Sequence, residues 1–160
     1  ISQLMGIELM SGLQQAGLKP EAPAKAAPVR VKTKTLLVMD DEPVIFQLIQ
    51  DILEDSILKV ITAASAREGL RLAMTSAVDV ILLDANMPEI SGLEAAEQLR
   101  HMRTTQDVPV ILMSGQAPET LAPQLISAGI EEFLAKPFSP AELIQLLQKA
   151  LGKEIFWAAS

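Results

Sequence analysis

Between Thr35 and Leu151, five short, mostly apolar runs alternate with five stretches of helical periodicity, and few folds accommodate that beat. The runs are Thr35–Met39, Leu58–Thr62, Val80–Leu83, Val108–Met113 and Glu132–Ala135. Strands separated by helices at this spacing imply right-handed crossovers, and hence an α/β domain built on a doubly wound parallel sheet with helices on both faces. The third run, Val80-Ile81-Leu82-Leu83, carries no polar side chain, as a strand covered on both faces requires. It stops at Asp84. Met87-Pro88 then forces a turn, because proline fixes its own φ and disfavours helix in the residue before it.

The segments between the runs carry start and stop signals. Pro43 suits a first helical position, with Val44, Ile45, Leu48, Ile49 and Ile52 as the inward face of a helix reaching about Asp55. Ser65-Ala66-Arg67-Glu68 and Ser91-Gly92-Leu93-Glu94 are capping boxes; the second opens a helix to about Arg103. Pro118–Ala128 reads as a helix closed by Gly129. Ser139-Pro140-Ala141-Glu142 is a third box, leading into Leu143, Ile144, Leu146, Leu147 and Leu151.

Outside this region the pattern changes. Residues 1–18 place Ile1, Met5, Leu9 and Leu13 at four-residue spacing, an N-terminal helical segment open to three readings: a partner helix, the tail of an upstream domain, or a helix ordered only by its neighbours. Residues 19–34 are Pro/Ala/Lys-rich and read as a linker. Residues 1–34 hold five Lys/Arg and two Asp/Glu, a formal +3, whereas residues 35–151 hold seven and seventeen, a formal −10. The compact domain is therefore expected over 35–151, with a C-terminal tail over 152–160 that includes the apolar pair Phe156-Trp157, a truncated stub or a docking patch. The first residue is Ile rather than Met, which reads as a piece of a longer chain.

Composition removes several functions. With no Cys there is no thiol nucleophile and no Cys-ligated metal, and a single His rules out a multi-His zinc site. A net charge of −7 and 3% aromatic residues argue against nucleic acid as a direct partner. No apolar run is long enough to span a bilayer.

A parallel sheet delivers the last residue of every strand to one edge, where open α/β sheets bind their ligands. Here that edge receives Asp40 and Asp41, Asp84, Ser114 and Lys136. Acids held close together repel, and a hard divalent cation such as Mg²⁺ or Mn²⁺ relieves the repulsion. The lysine can pair with a carboxylate or a phosphoryl oxygen, and the hydroxyl can donate to an anion. Together they suit transfer of a phosphoryl group onto a carboxylate. Singly, each has a plainer reading: Asp40-Asp41-Glu42 as acids at a helix N-terminus, Asp84 as a turn cap, Ser114 as a turn residue, Lys136 as a surface lysine. Their joint placement at strand ends favours chemistry. His101 and Phe138 read as a solvated residue and a packing residue.

The motifs Asp40-Asp41, Asp84-Ala85-Asn86-Met87-Pro88, Ser114-Gly115 and Lys136-Pro137-Phe138 resemble those of the receiver domains of two-component response regulators, over about Thr35 to Leu151. The resemblance implies a flavodoxin-like sheet of order 2-1-3-4-5. It implies that Asp84 is the phosphoacceptor and that Asp41, Asp84 and the main-chain carbonyl of Asn86 bind Mg²⁺, with Asp40 assisting. The phosphoryl group would come from a phosphohistidine on a histidine kinase or phosphotransfer protein, or from a small acyl phosphate. Ser114 and Lys136 would move onto the phosphoryl group, Phe133 would turn into the vacated space, and the face of helix four, strand five and helix five would change for its partners. That face would also pair two copies. Such a module is a cytoplasmic signalling domain, not an enzyme beyond its own phosphotransfer and autodephosphorylation, and belongs to a multidomain signalling protein or hybrid kinase. Two positions depart from the family pattern: Phe133 where many members carry Tyr, and Ser114 where Thr is commoner. The alternatives are a receiver-like adaptor that is never phosphorylated, and an aspartyl-phosphate phosphohydrolase, which would need a second Asp where Asn86 stands.

Overall fold

The structure, a computed structural model, describes residues 33–152. The segments 1–18, most of 19–34 and the Phe156-Trp157 tail lie outside the described residues. In chain order the elements are β1 (Thr35–Met39), α1 (Pro43–Ile52), β2 (Lys59–Ala63), α2 (Ala66–Thr75), β3 (Val80–Asp84), α3 (Gly92–Arg100), β4 (Val110–Ser114), α4 (Pro118–Ser127), β5 (Glu132–Ala135) and α5 (Pro140–Leu151). The strands form one parallel sheet of order β2-β1-β3-β4-β5. None of the helices among the described residues is long and apolar enough to cross a membrane.

The continuous apolar runs become the interior strands: every residue of β3 and β4 is buried, whereas the edge strands β2 and β5 are only partly covered. Alternate side chains feed two core layers. Leu37, Met39, Ile81, Leu83 and Leu112 pack with Ala66, Ala73, Ala95, Ala96, Leu99 and Leu121 from α2, α3 and α4. Leu36, Val38, Val80, Leu82, Ile111 and Met113 pack with Ile49, Leu143 and Leu147 from α1 and α5. The alanines of α2 and α3 let those helices lie close to the sheet.

Several local expectations shift. Of the five residues expected on the inward face of α1, Val44 and Leu48 are exposed, at 68% and 39%. The packing stripe is Ile45, Phe46, Ile49, Ile52 and Leu53. At roughly 100° per residue, Leu48 and Val44 lie about 100° and 140° around the helix from Ile49. The boxes at Ser91 and Ser139 are complete. At Ser65 the hydroxyl accepts from the Glu68 N–H, but the Glu68 carboxylate accepts from Ala64 N–H instead of Ser65. The edge strand ends at Ala63, so the Ala64 N–H has no ladder partner and takes the carboxylate. α3 stops at Arg100 rather than near Arg103, because the buried Thr105 hydroxyl donates to Leu99 O at 2.6 Å and turns the chain toward β4.

Candidate functional site

The strands end nearly in step, with Met39 opposite Leu83, Asp84 opposite Met113 and Ser114 opposite Ala135. Main-chain bonds continue past the strand ends, from Asp40 N–H to Ala63 O at 3.1 Å, Ala85 N–H to Met113 O at 2.9 Å and Lys136 N–H to Ser114 O at 2.8 Å. One rim therefore holds the residues that the sequence scatters. A cleft of about 280 Å³ is lined by Asp41, Glu42, Asp84, Asn86, Gly115 and Lys136.

Carboxylate oxygens of Asp40, Asp41 and Asp84 all lie within 4.8 Å of one another. Lys136 Nζ reaches Asp40 Oδ2 at 2.9 Å, Asp84 Oδ1 at 3.4 Å and Glu42 Oε1 at 3.4 Å. Asp40 is wholly buried and uses both oxygens, since its Oδ1 accepts from Glu42 N–H at 2.9 Å. It orients its neighbours. Asp41 is exposed and opens onto the cleft. Asp84 is buried, and its Oδ1 also accepts from Asn86 N–H at 3.3 Å. Burial first, then the charge of Asp40, push the Asp84 carboxyl up to about 6, against the opposing pull of Lys136. Burial works against the Lys136 charge, but its hydrogen bond to Asp40 and the charges of Asp84, Asp40 and Glu42 outweigh this and hold the ammonium above its ordinary value.

The backbone around Asp84 is fixed from behind. A Cβ on Gly92 would fall 2.1 Å from Asp84 O and 2.7 Å from Ala85 Cα, so only glycine lets α3 start this close. Gly92 N–H also donates to Ala85 O at 2.9 Å. The side chain of Met87 is buried and anchors the turn, while Glu89 takes φ 72°. Ser114 is buried with its hydroxyl accepting from Gln116 N–H at 3.0 Å, which leaves its own hydrogen to donate. Lys136-Pro137 is a cis peptide bond.

Asp40, Asp41, Asp84, Asn86, Ser114 and Lys136 are thus brought to one rim, and Phe133 stands apart from it. Its half-buried ring packs against the α2–α4 core layer and lines, with Pro118, Glu142 and Leu146, a cavity of about 340 Å³ between α4, β5 and α5. Phe138 packs against the other layer. His101 is exposed, with Nδ1 2.7 Å from Glu97 O of its own helix. Sequence alone marks Glu42 only as a helix acid, yet it lines the cleft and pairs with Lys136; its place beside the acidic pair is the available signal. None of the three acids caps α1 through its side chain.

The donors facing the cleft are all hard oxygens, one of them a carboxylate made costly to ionise by its surroundings. That set fits Mg²⁺ or Mn²⁺ and does not fit soft, sulfur- or imidazole-preferring ions.

Residues 36–148 match the family described as Response regulator receiver domain. The chain belongs to that family. A receiver domain is a phosphoacceptor signalling module of two-component systems, which work with histidine kinases and output domains, and is not classed as an enzyme. The chain is 32% identical over 120 residues to the phosphate regulon transcriptional regulatory protein PhoB of Pseudomonas aeruginosa, covering 75% of this chain and 52% of the relative. It is 36% identical over 110 residues to the alkaline phosphatase synthesis transcriptional regulatory protein PhoP of Bacillus subtilis, covering 69% and 45%. The chain thus spans about half the length of these relatives. Chemotaxis protein CheY4 of Vibrio cholerae superposes with a TM-score of 0.71 at 30% identity, over 75% of this chain and 100% of that one. The receiver domain of sensor histidine kinase PA1611 from Pseudomonas aeruginosa, solved with a magnesium ion coordinated in its active site cleft, gives 0.69 at 29% identity, over 76% and 100%. The expected sheet order is the observed one, and this receiver has the fold of those proteins.

Proposed function

We propose that this receiver domain takes a phosphoryl group on Asp84 from the phosphohistidine of a histidine kinase or phosphotransfer protein and, on doing so, reshapes its α4–β5–α5 face. The observation that carries the reading is the convergence of Asp40, Asp41, Asp84, Ser114 and Lys136 on one rim of the sheet, with Asp84 buried among charges that need a counter-ion. Asp41, Asp84 and the main-chain carbonyl of Asn86, with Asp40 assisting, would hold Mg²⁺ or Mn²⁺. When bound, the ion supplies positive charge against the acids and the incoming phosphoryl oxygens.

At neutral pH the Asp84 carboxyl is ionised yet more basic than an ordinary Asp. Both of its contacts from Asn86 and Lys136 fall on Oδ1, so Oδ2 is the oxygen left to form the new bond to phosphorus. The donor's phosphorus–nitrogen bond breaks as that bond forms, and the imidazole leaves with the electron pair. Lys136, held charged by Asp40, offers its ammonium to the added dianion. The Ser114 hydroxyl donates to a phosphoryl oxygen. Because Gln116 N–H is bonded to that hydroxyl, the loop to Ala117 follows it, and the Phe133 ring takes the space released. Phe133 has no hydroxyl, so any readout through an aromatic hydrogen bond is absent.

Val44 and Leu48 form an exposed apolar ridge in the first two turns of α1, which begins one residue after Glu42. That ridge suits docking of the phosphodonor. Output passes through α4–β5–α5 to a protein or domain, and two copies would pair through the same face. The domain runs over 35–151 behind a linker at 19–34, within a multidomain cytoplasmic signalling protein.

Intact mass after incubation with acetyl phosphate and Mg²⁺ tests the reading. One phosphoryl group is expected; EDTA prevents it and Asp84→Ala abolishes it. An adduct that persists in Asp84→Ala refutes the assignment, and a wild type that stays unmodified favours an adaptor that is never phosphorylated.

A further inference from the structure

We propose that α4 is a lever, loose at its first half, hinged at Pro123 and anchored at its far end by Arg100. Four observations at the near end agree. The N-cap is Ala117, which makes no side-chain cap bond. A Cβ on Gly115 would meet nothing within 4 Å, so the loop ahead of the helix is uncrowded. Pro123 stands inside α4, and among the described residues α4 is the one helix with an interior proline. Proline has no N–H, so Glu119 O loses its helical donor and the helix is divided at that point. The first half then buries only Leu121, and a single uncapped turn is marginal by itself.

The far end is built differently. Ala128 N–H donates to Gln124 O at 2.9 Å, Gly129 N–H to Ile126 O at 3.1 Å and Ile130 N–H to Leu125 O at 2.9 Å, with Gly129 at φ +70°. Ala128 and Ile130 are buried. From α3, the half-buried Arg100 guanidinium donates through Nη2 to Gly129 O at 3.3 Å and through Nη1 to Val108 O at 2.7 Å, with Thr105 O and Gln106 O each at 3.5 Å. One cation thus ties the end of α4 to the approach of β4. Lysine, a single point donor, cannot span both segments. Arg100 is a positioning residue: it touches nothing in the acidic cleft but holds the far half of α4 still while the first half turns about Pro123 when the Ser114 loop pulls on it.

Residue-resolved amide hydrogen exchange tests this in the unmodified protein. α5 supplies the control, because it too starts with proline at its first position but is capped by Ser139 and has no interior proline. Leu121 and Ala122 should exchange at least about tenfold faster than Leu143 and Ile144, their counterparts in α5, and than Ala128 and Ile130. Pro123→Ala should slow Leu121 and Ala122 by about tenfold or more, as restoring a helical donor requires. Arg100→Met, and equally Arg100→Lys, should speed Ala128 and Ile130 while leaving Leu143 and Ile144 alone. A common exchange rate throughout α4, an unchanged first half in Pro123→Ala, or acceleration of α5 along with α4 in both Arg100 variants would overturn the proposal. A further arm rests on the phosphoacceptor reading. After acetyl phosphate and Mg²⁺, amide shift changes should fade from Gly115 to Gly129 in the wild type and reach Ile130 undiminished in Arg100→Met; a uniform change in the wild type counts against the lever. Intact mass separates the two failures: without the added group the phosphoacceptor reading fails, and exchange in the unmodified protein still decides hinge and anchor.

Discussion

Replacing Asp84 by Asn should make the metal-free domain more stable. Burial and Asp40 raise the Asp84 carboxyl from 3.8 to about 6. At about 1.4 kcal/mol per pH unit, the upward shift sets a ceiling near 3 kcal/mol on the cost of ionising it in the folded state. The cleft is open to water, which screens part of this, so about 1–2 kcal/mol is expected. The sign follows from proton linkage. The folded state holds the Asp84 proton more tightly than the unfolded chain does. The Asp84 contribution to stability therefore falls as pH rises from about 4 to about 6 and is level above that range. Asn does not titrate and escapes the loss. Its side-chain oxygen can still accept from Asn86 N–H, and Lys136 keeps Asp40 and Glu42. The variant should melt about 4–8 °C higher than wild type at neutral pH in EDTA, with the gap closing near pH 4. Added Mg²⁺ should raise the wild type and leave the variant nearly unmoved. Thermal and urea unfolding in the two buffers measure this. A variant no more stable than wild type at neutral pH in EDTA, or one whose gain survives at pH 4, would refute the electrostatic account of the cleft.

Two further substitutions follow from the same geometry. Lys136→Ala should leave Mg²⁺ affinity equal or higher, since it removes a competing cation, but should uncouple phosphorylation from partner binding; calorimetric Mg²⁺ titration and a partner-binding assay check both halves. Gly92→Ala should lower stability by about 1–3 kcal/mol or more, because the new methyl meets main-chain atoms of Asp84 and Ala85 and not a side chain that can turn away. Its unfolding midpoint is the readout, and an unchanged midpoint would mean that α3 can start further from the strand.

The architecture was legible because uninterrupted apolar runs such as Val80–Leu83 have few uses other than a doubly covered strand, and strands linked by helices have one hand. The gathering of Asp40, Asp84, Ser114 and Lys136 followed from that same rule, since parallel strands share an edge; the roles of these residues are the proposal made above. Direction around a helix was less legible. Val44 and Leu48 are as apolar as Ile45 and Ile49, and only the sheet's position tells which pair is covered. Arg100 carried no signal at all, because its partners are main-chain carbonyls, which every residue has. Glu68 shows the same limit: the capping pattern was present, but the N–H that takes the carboxylate depended on where the edge strand ended.

Lys136 sits among three acids, so the domain brings its own resident cation. That charge offsets part of the acids' mutual repulsion as the strand ends come together. On the function proposed above, a divalent ion would meet a pocket already assembled, and magnesium would act on signalling and not on folding.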